Sequence, residues 1–169
     1  MKISILFIIV CLVFISTTFS QTMNKMVHDT TVDQKVLIDY CDRTGLESGE
    51  FGEYYLLEYE DYQINDSLLN LIRKKIKKFD ITIVFGSWCS DSEQQVPHFY
   101  KILDQSGYDD DQLKIIAVNR QKKAKEVQIE DLQIELVPTF IIYKNGTEIG
   151  RIVETPNETL EEDLWQIIK

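Results

Sequence analysis

Apolar and polar positions change in short blocks along this chain, and the spacing within each block predicts an element. Residues 21–34 are polar and aperiodic and read as a flexible leader. Lys35 to Tyr40 carries Val36, Leu37 and Ile38 and predicts a short strand, and Gly45 and Gly49 mark turns. From Glu50 to Tyr62, the residues Phe51, Tyr55, Tyr59 and Tyr62 recur at helical spacing, an aromatic stripe suited to packing. Asn65 or Asp66 caps a further helix with the apolar face Leu68, Leu69, Ile72 and Ile76. The basic residues from Arg73 to Lys78 crowd its second half, where the helix dipole favours cations, and read as a solvated face. Ile81 to Gly86 is an apolar strand, and a helix follows to about Gln105. Leu113 to Asn119 predicts another strand, and residues 121–135 a helix or partial helix. Phe140–Tyr143 and Glu148–Val153 pair as a hairpin through Asn145-Gly146, a two-residue turn signal. Thr155-Pro156-Asn157-Glu158 has capping-box spacing with Pro at the first helical position. It predicts a last helix to Lys169, with Leu160, Leu164, Ile167 and Ile168 facing inward.

Strands separated by helices imply right-handed parallel crossovers, and the closing hairpin adds an antiparallel part. The expectation is an α/β fold: a central mixed sheet flanked by helices on both faces, with an extra N-terminal helical segment.

The first twenty residues change the picture of the N-terminus. Lys2 is a basic start, Ile3 to Ile15 an apolar stretch short for a membrane span, and Thr18-Phe19-Ser20 a small-residue cleavage site. They are expected to be a signal peptide, with mature protein beginning near Gln21; an uncleaved anchor is the alternative. Cys11 would leave with the signal. Residues 21–64 are then a leader and N-terminal extension, and 65–169 the main domain. Export predicts a periplasmic or secreted protein in a compartment where disulfides persist. The net charge of −10 argues against nucleic acid, which needs a basic footprint, and against an anionic membrane surface; no stable membrane partner is expected after signal cleavage. No phosphate loop, dinucleotide fingerprint or zinc-ligand spacing occurs, so no cofactor and no metal is predicted.

The chemistry concentrates in Trp88-Cys89-Ser90-Asp91-Ser92. Cys89 follows a strand and opens a helix, where the dipole and free N–H groups favour a thiolate. Proteins with a Cys-x-x-Cys pair place the attacking thiol at such a junction, but here the second position is Ser92. Ser92 shares a helix face with Cys89 and its hydroxyl is able to donate to a thiolate, yet oxygen does not replace sulfur in thiol exchange. Asp91 is a candidate modulator with two opposed effects: it complements the dipole, and its charge opposes a neighbouring thiolate. Cys41 has three readings: an inert core residue, a distant resolving thiol for Cys89, or half of an intermolecular bridge. His28 lies in the leader, and His98 sits near the opposite helix face from Cys89, which disfavours a Cys–His dyad.

These residues, with Pro97 eight positions after Cys89, Val137-Pro138-Thr139-Phe140 and Tyr143-Lys144-Asn145-Gly146, resemble the thioredoxin family over residues 66 to 169. Trp88 to Pro97 is also similar to an exported bacterial branch with Trp-Cys-x-Asp-Ser/Cys. The resemblance implies a thioredoxin-like fold and a cis Val137–Pro138 bond beside Cys89. A regular Pro138 would also lack a ladder donor on entering the strand. It implies catalytic roles for Cys89 and Ser92 and substrate contacts from Trp88, Val137 and Pro138. One departure stands out: Ile83 occupies the position, six before the nucleophile, where the family carries a buried Asp. The functional expectation is thiol–disulfide exchange or isomerisation by a single active-site thiol. The partners would be disulfide- or thiol-containing proteins or a small thiol. The alternative is a redox-inactive binding or chaperone module on the same fold.

Overall fold

The structure is a computed structural model and describes residues 22–31 and 33–169. The expected signal peptide, with Cys11, lies outside the described residues. Two strands, β1 (Lys25–Asp29) and β2 (Gln34–Cys41), form an antiparallel hairpin. Three helices follow: α1 (Arg43–Leu46), α2 (Gly49–Asp61) and α3 (Asp66–Arg73). Then come β3 (Asp80–Phe85), α4 (Ser90–Ser106), β4 (Leu113–Ala117), β5 (Thr139–Lys144), β6 (Thr147–Val153) and α5 (Leu160–Ile168). The sheet order is β1-β2-β4-β3-β5-β6, with β3 and β4 parallel and the other pairs antiparallel.

Local chemistry explains most boundaries. Asn65 caps α3 by accepting from the N–H groups of Ser67 and Leu68. Gly107, at φ 71, ends α4, and the Tyr108 N–H returns to the Leu103 carbonyl. Asn145 and Gly146, at φ 52 and 77, make the tight turn of the β5–β6 hairpin. The aromatic stripe of α2 packs as its spacing implies: Phe51 meets Phe85, and Tyr55 meets Tyr100 edge-on.

The two sheet faces are covered unequally. Ile81, Ile83 and Phe85 point from β3 into the main core with residues of all five α-helices. Val84 and Ile116 point to the other face, covered by Ile129, Val127, Leu132 and Ile134. That cover comes from residues 119–136, whose one helical piece is a 3-10 turn at Glu130–Leu132. The helix expected over 121–135 is therefore corrected to an extended cover with a single turn. Lys122 and Gln133 sit at φ 59 and 51, which breaks any continuous helix. Three N–H groups a helix would spend internally, those of Lys125, Glu126 and Val127, bond instead to the Asp39 carboxylate at 2.8, 2.7 and 3.2 Å.

Three other expectations change. The stretch read as a flexible leader contains β1, which pairs along the outer edge of β2. β2 belongs to the same sheet as the main domain and runs antiparallel to β4, not parallel. The last helix begins at Leu160, not after Pro156. Thr159 is its cap, accepting from the Glu162 N–H, while the Asp163 carboxylate holds the Asn157 and Glu158 N–H groups outside the helix.

Asp39 is buried, and burial alone would raise its carboxyl; the three N–H donors and the Lys25 ammonium outweigh this and hold it below its ordinary value of 3.8. A carboxyl depressed in the fold contributes stability above its unfolded value and loses it as pH falls. Asp39→Asn is expected to cost about 2 kcal/mol at neutral pH, the scale of charge-assisted hydrogen bonds. Urea unfolding should show that gap narrowing below about pH 4. A gap that is unchanged or widens in acid would contradict this role.

Candidate thiol site

The site forms where β3 ends. Gly86 to Cys89 turn the chain, the Cys89 N–H bonds to the Gly86 carbonyl at 3.0 Å, and Cys89 becomes the N-cap residue of α4. Its side chain caps nothing and is half-buried. The Val137–Pro138 bond is cis, and Cys89 Sγ donates to the Val137 carbonyl at 3.3 Å. The Pro138 carbonyl accepts from Glu154 N–H at 2.7 Å, which ties the loop to the end of β6. The structure thus brings Cys89, Trp88, Val137 and Pro138 together.

Trp88 is fixed on several sides. Its Nε1 donates to the Val118 carbonyl at 2.8 Å. Its ring lies so close to Gly86 that a Cβ there would fall 2.5 Å from the indole. The Arg120 guanidinium covers it at 4.9 Å from the ring centroid. A cavity of about 250 Å³ opens beside it, between Phe51, Tyr54, Ser87 and Glu93. Burial there raises the Glu93 carboxyl. A cavity of about 590 Å³ on the second sheet face, among Tyr40, Thr82, Lys114 and Tyr143, does not include Cys89.

Ser92 makes its hydrogen bond to the backbone of the turn. It is fully buried, and its Oγ accepts from the Gly86 N–H at 3.2 Å, tying α4 to the end of β3. Asp91 is half-buried in the first turn of α4. Ile83 is fully buried in the main core.

Cys41 is free, buried and part of the main core, whereas Cys89 packs against the other face. Cys41 pairs across to Ile115, which pairs to Ile83, so β4 separates it from β3. Two strand spacings amount to about 9.5 Å before any distance along the strand is added. That exceeds the ~7 Å between Cα atoms that a disulfide tolerates. Cys41 thus sits in the core two strands from β3, and its burial is what the inert reading expects. Burial pushes its thiol up to about 12. His98 stacks on Tyr62 and meets Glu58 Oε2 at 2.8 Å, away from the thiol.

Sequence patterns missed three residues of the site's frame. Asp39 carried a signal, an acid inside the apolar run Val36 to Cys41. Arg120 and Asp29, joined at 3.2 Å, carried none, because no periodicity or motif links positions ninety-one apart.

A family model described as Thioredoxin matches residues 48–164, and the chain belongs to the thioredoxin family. Its six-stranded mixed sheet flanked by helices is a thioredoxin-like α/β fold. Solved structures similar to it include a protein of unknown function from Pseudomonas aeruginosa, 13% identical at TM-score 0.48 over 65% of this chain and 67% of that one. An HIV epitope scaffold is 13% identical at TM-score 0.47, covering 62% and 64%. Oxidised mitochondrial thioredoxin 3 of Saccharomyces cerevisiae is 17% identical at 0.34, covering 57% and 86%. The chain thus spans about two thirds of the first two structures. No curated protein matches it.

The contrast between the two thiols gives a direct expectation. Alkylation of the native protein near neutral pH should modify Cys89, and Cys41 should react only after denaturation, as peptide mass mapping would show. Comparable native labelling of Cys41 would place it outside the core.

Proposed function

We propose that this is an exported thioredoxin-like protein acting through one thiol, Cys89, in thiol–disulfide exchange or isomerisation. The observation that carries the reading is the 3.3 Å contact of Cys89 Sγ with the Val137 carbonyl, at a helix start that covers it only in part. In the reaction, the Cys89 thiolate attacks one sulfur of a partner disulfide. The new S–S bond forms, the partner's bond breaks, and its second sulfur leaves as a thiolate that takes up a proton. A thiol of the same partner, or a small thiol, then attacks the mixed disulfide and returns Cys89 to its reduced form. With the partner's own thiol the cycle is redox-neutral, which suits isomerisation.

The chain's own residues support a single-thiol cycle. Cys41 is out of reach across β4, and Ser92 has no sulfur to offer. Trp88 and the Val137–Pro138 loop flank Cys89 and would meet the partner's backbone. The Trp-Cys-x-Asp-Ser run supports placement in the exported bacterial branch, with Asp91 as modulator of the thiolate. The signal-like first twenty residues support export to the periplasm or medium; the N-terminal residue of the native protein is expected at Gln21.

A second reading, a binding or chaperone module, is favoured by one observation: Ser92 and Ile83, both buried, offer neither the second sulfur nor the buried acid of a two-thiol site. Intact mass after incubation with oxidised glutathione separates the two. The first reading expects one glutathionyl adduct, absent in Cys89→Ser, and faster reactivation of a scrambled multi-disulfide protein. A native Cys89 that forms no adduct would leave the binding module as the function.

A further inference from the structure

We infer that Arg120, anchored by Asp29 of β1, is a positioning residue for the Cys89 loop, acting through Trp88. The inference rests on the reading of Cys89 as the reactive thiol. Trp88 precedes Cys89 directly, so the indole and the thiol share one short turn. Three contacts box that indole: the Val118 carbonyl at its edge, Gly86 against one side, and the Arg120 guanidinium at 4.9 Å from the centroid. Arg120 is itself aimed. Its Nε donates to Asp29 Oδ2 at 3.2 Å, while Asp29 Oδ1 accepts from the Thr31 N–H at 2.9 Å. A planar guanidinium is able to lay its face on a ring while its edge donates to a carboxylate; an ammonium lacks that geometry.

A second tie reaches the same turn from the same hairpin. The Leu37 N–H of β2 donates to Ser87 Oγ at 2.9 Å. The β1–β2 hairpin therefore holds both residues that lead into Cys89, Ser87 directly and Trp88 through Arg120. Without Arg120 the indole keeps its bond to Val118 but loses its outer cover, and the turn that presents the thiol loses one wall. Displacements of about 1 Å at a reacting group are enough to slow a reaction strongly.

The test uses the full chain in a Trp165→Phe background, so that emission reports Trp88 alone. Arg120→Ala is expected to shift Trp88 emission to the red and to slow adduct formation with oxidised glutathione about tenfold, with the thermal midpoint little changed. Arg120→Lys should restore the rate only in part. Asp29→Asn should act in the same direction more weakly, and it carries the test should Arg120→Ala fail to fold. An emission shift with a wild-type rate would overturn the positioning role and leave a surface contact. A slowed rate with unshifted emission would overturn the route through Trp88. Failure of the single-thiol reading itself is distinguishable, because wild type and every variant would then be equally inert toward the disulfide.

Discussion

β3 has to be buried on both faces, and it receives two covers of different kinds. Toward the helices, Ile81, Ile83 and Phe85 enter a continuous apolar core, where burial of aliphatic and aromatic side chains supplies the stabilisation. Toward the other face there is no long helix, and residues 119–136 lie across Val84, Ile116 and Val118 as a mostly irregular cover. Irregular backbone near a core leaves N–H groups that must find partners. The Asp39 carboxylate accepts three of them in succession. One buried acid thus accepts three N–H groups that a helix would bond internally. The same segment leads directly into Val137, so the carbonyl that meets Cys89 depends on how that cover is held.

This arrangement explains where the thiol sits. Cys89 lies beyond the last residue of β3, packed against Trp88 and Val137 but only half-buried. Cys41, on a strand two places away in the sheet, lies within the core. Burial without a compensating charge keeps that second thiol protonated. The two cysteines differ in chemistry because one is inside the sheet and the other is at its end.

The frame around Cys89 draws on distant parts of the chain. Ser87 is held from β2, Trp88 from Val118 and Arg120, and Cys89 from Val137. Ser92 adds a tie inward to Gly86, where a sulfur would otherwise complete a redox pair. The turn that carries Cys89 is thus held by hydrogen bonds from distant strands and from α4.

Much of this was legible in the sequence because it depends on neighbours in the chain. The strand into Cys89, the helix after it, the Asn145-Gly146 hairpin and the cap at Asn65 are local conformational choices. Hydrophobic spacing and turn chemistry specify them without reference to the rest of the fold. What tertiary structure alone decided depends on groups far apart in sequence. β1 forms because an edge of β2 is there to pair with, although its residues show no strong pattern. Residues 121–135 form no continuous helix, and three of their N–H groups bond instead to Asp39, eighty-six residues before the first of them. Cys41 is placed in the core on a strand two places from β3, and Ser92 is placed where its hydroxyl accepts from the Gly86 N–H. Periodicity records which side of an element is apolar; it carries no information about which polar group will stand opposite, and here those opposing groups set the reach of each thiol.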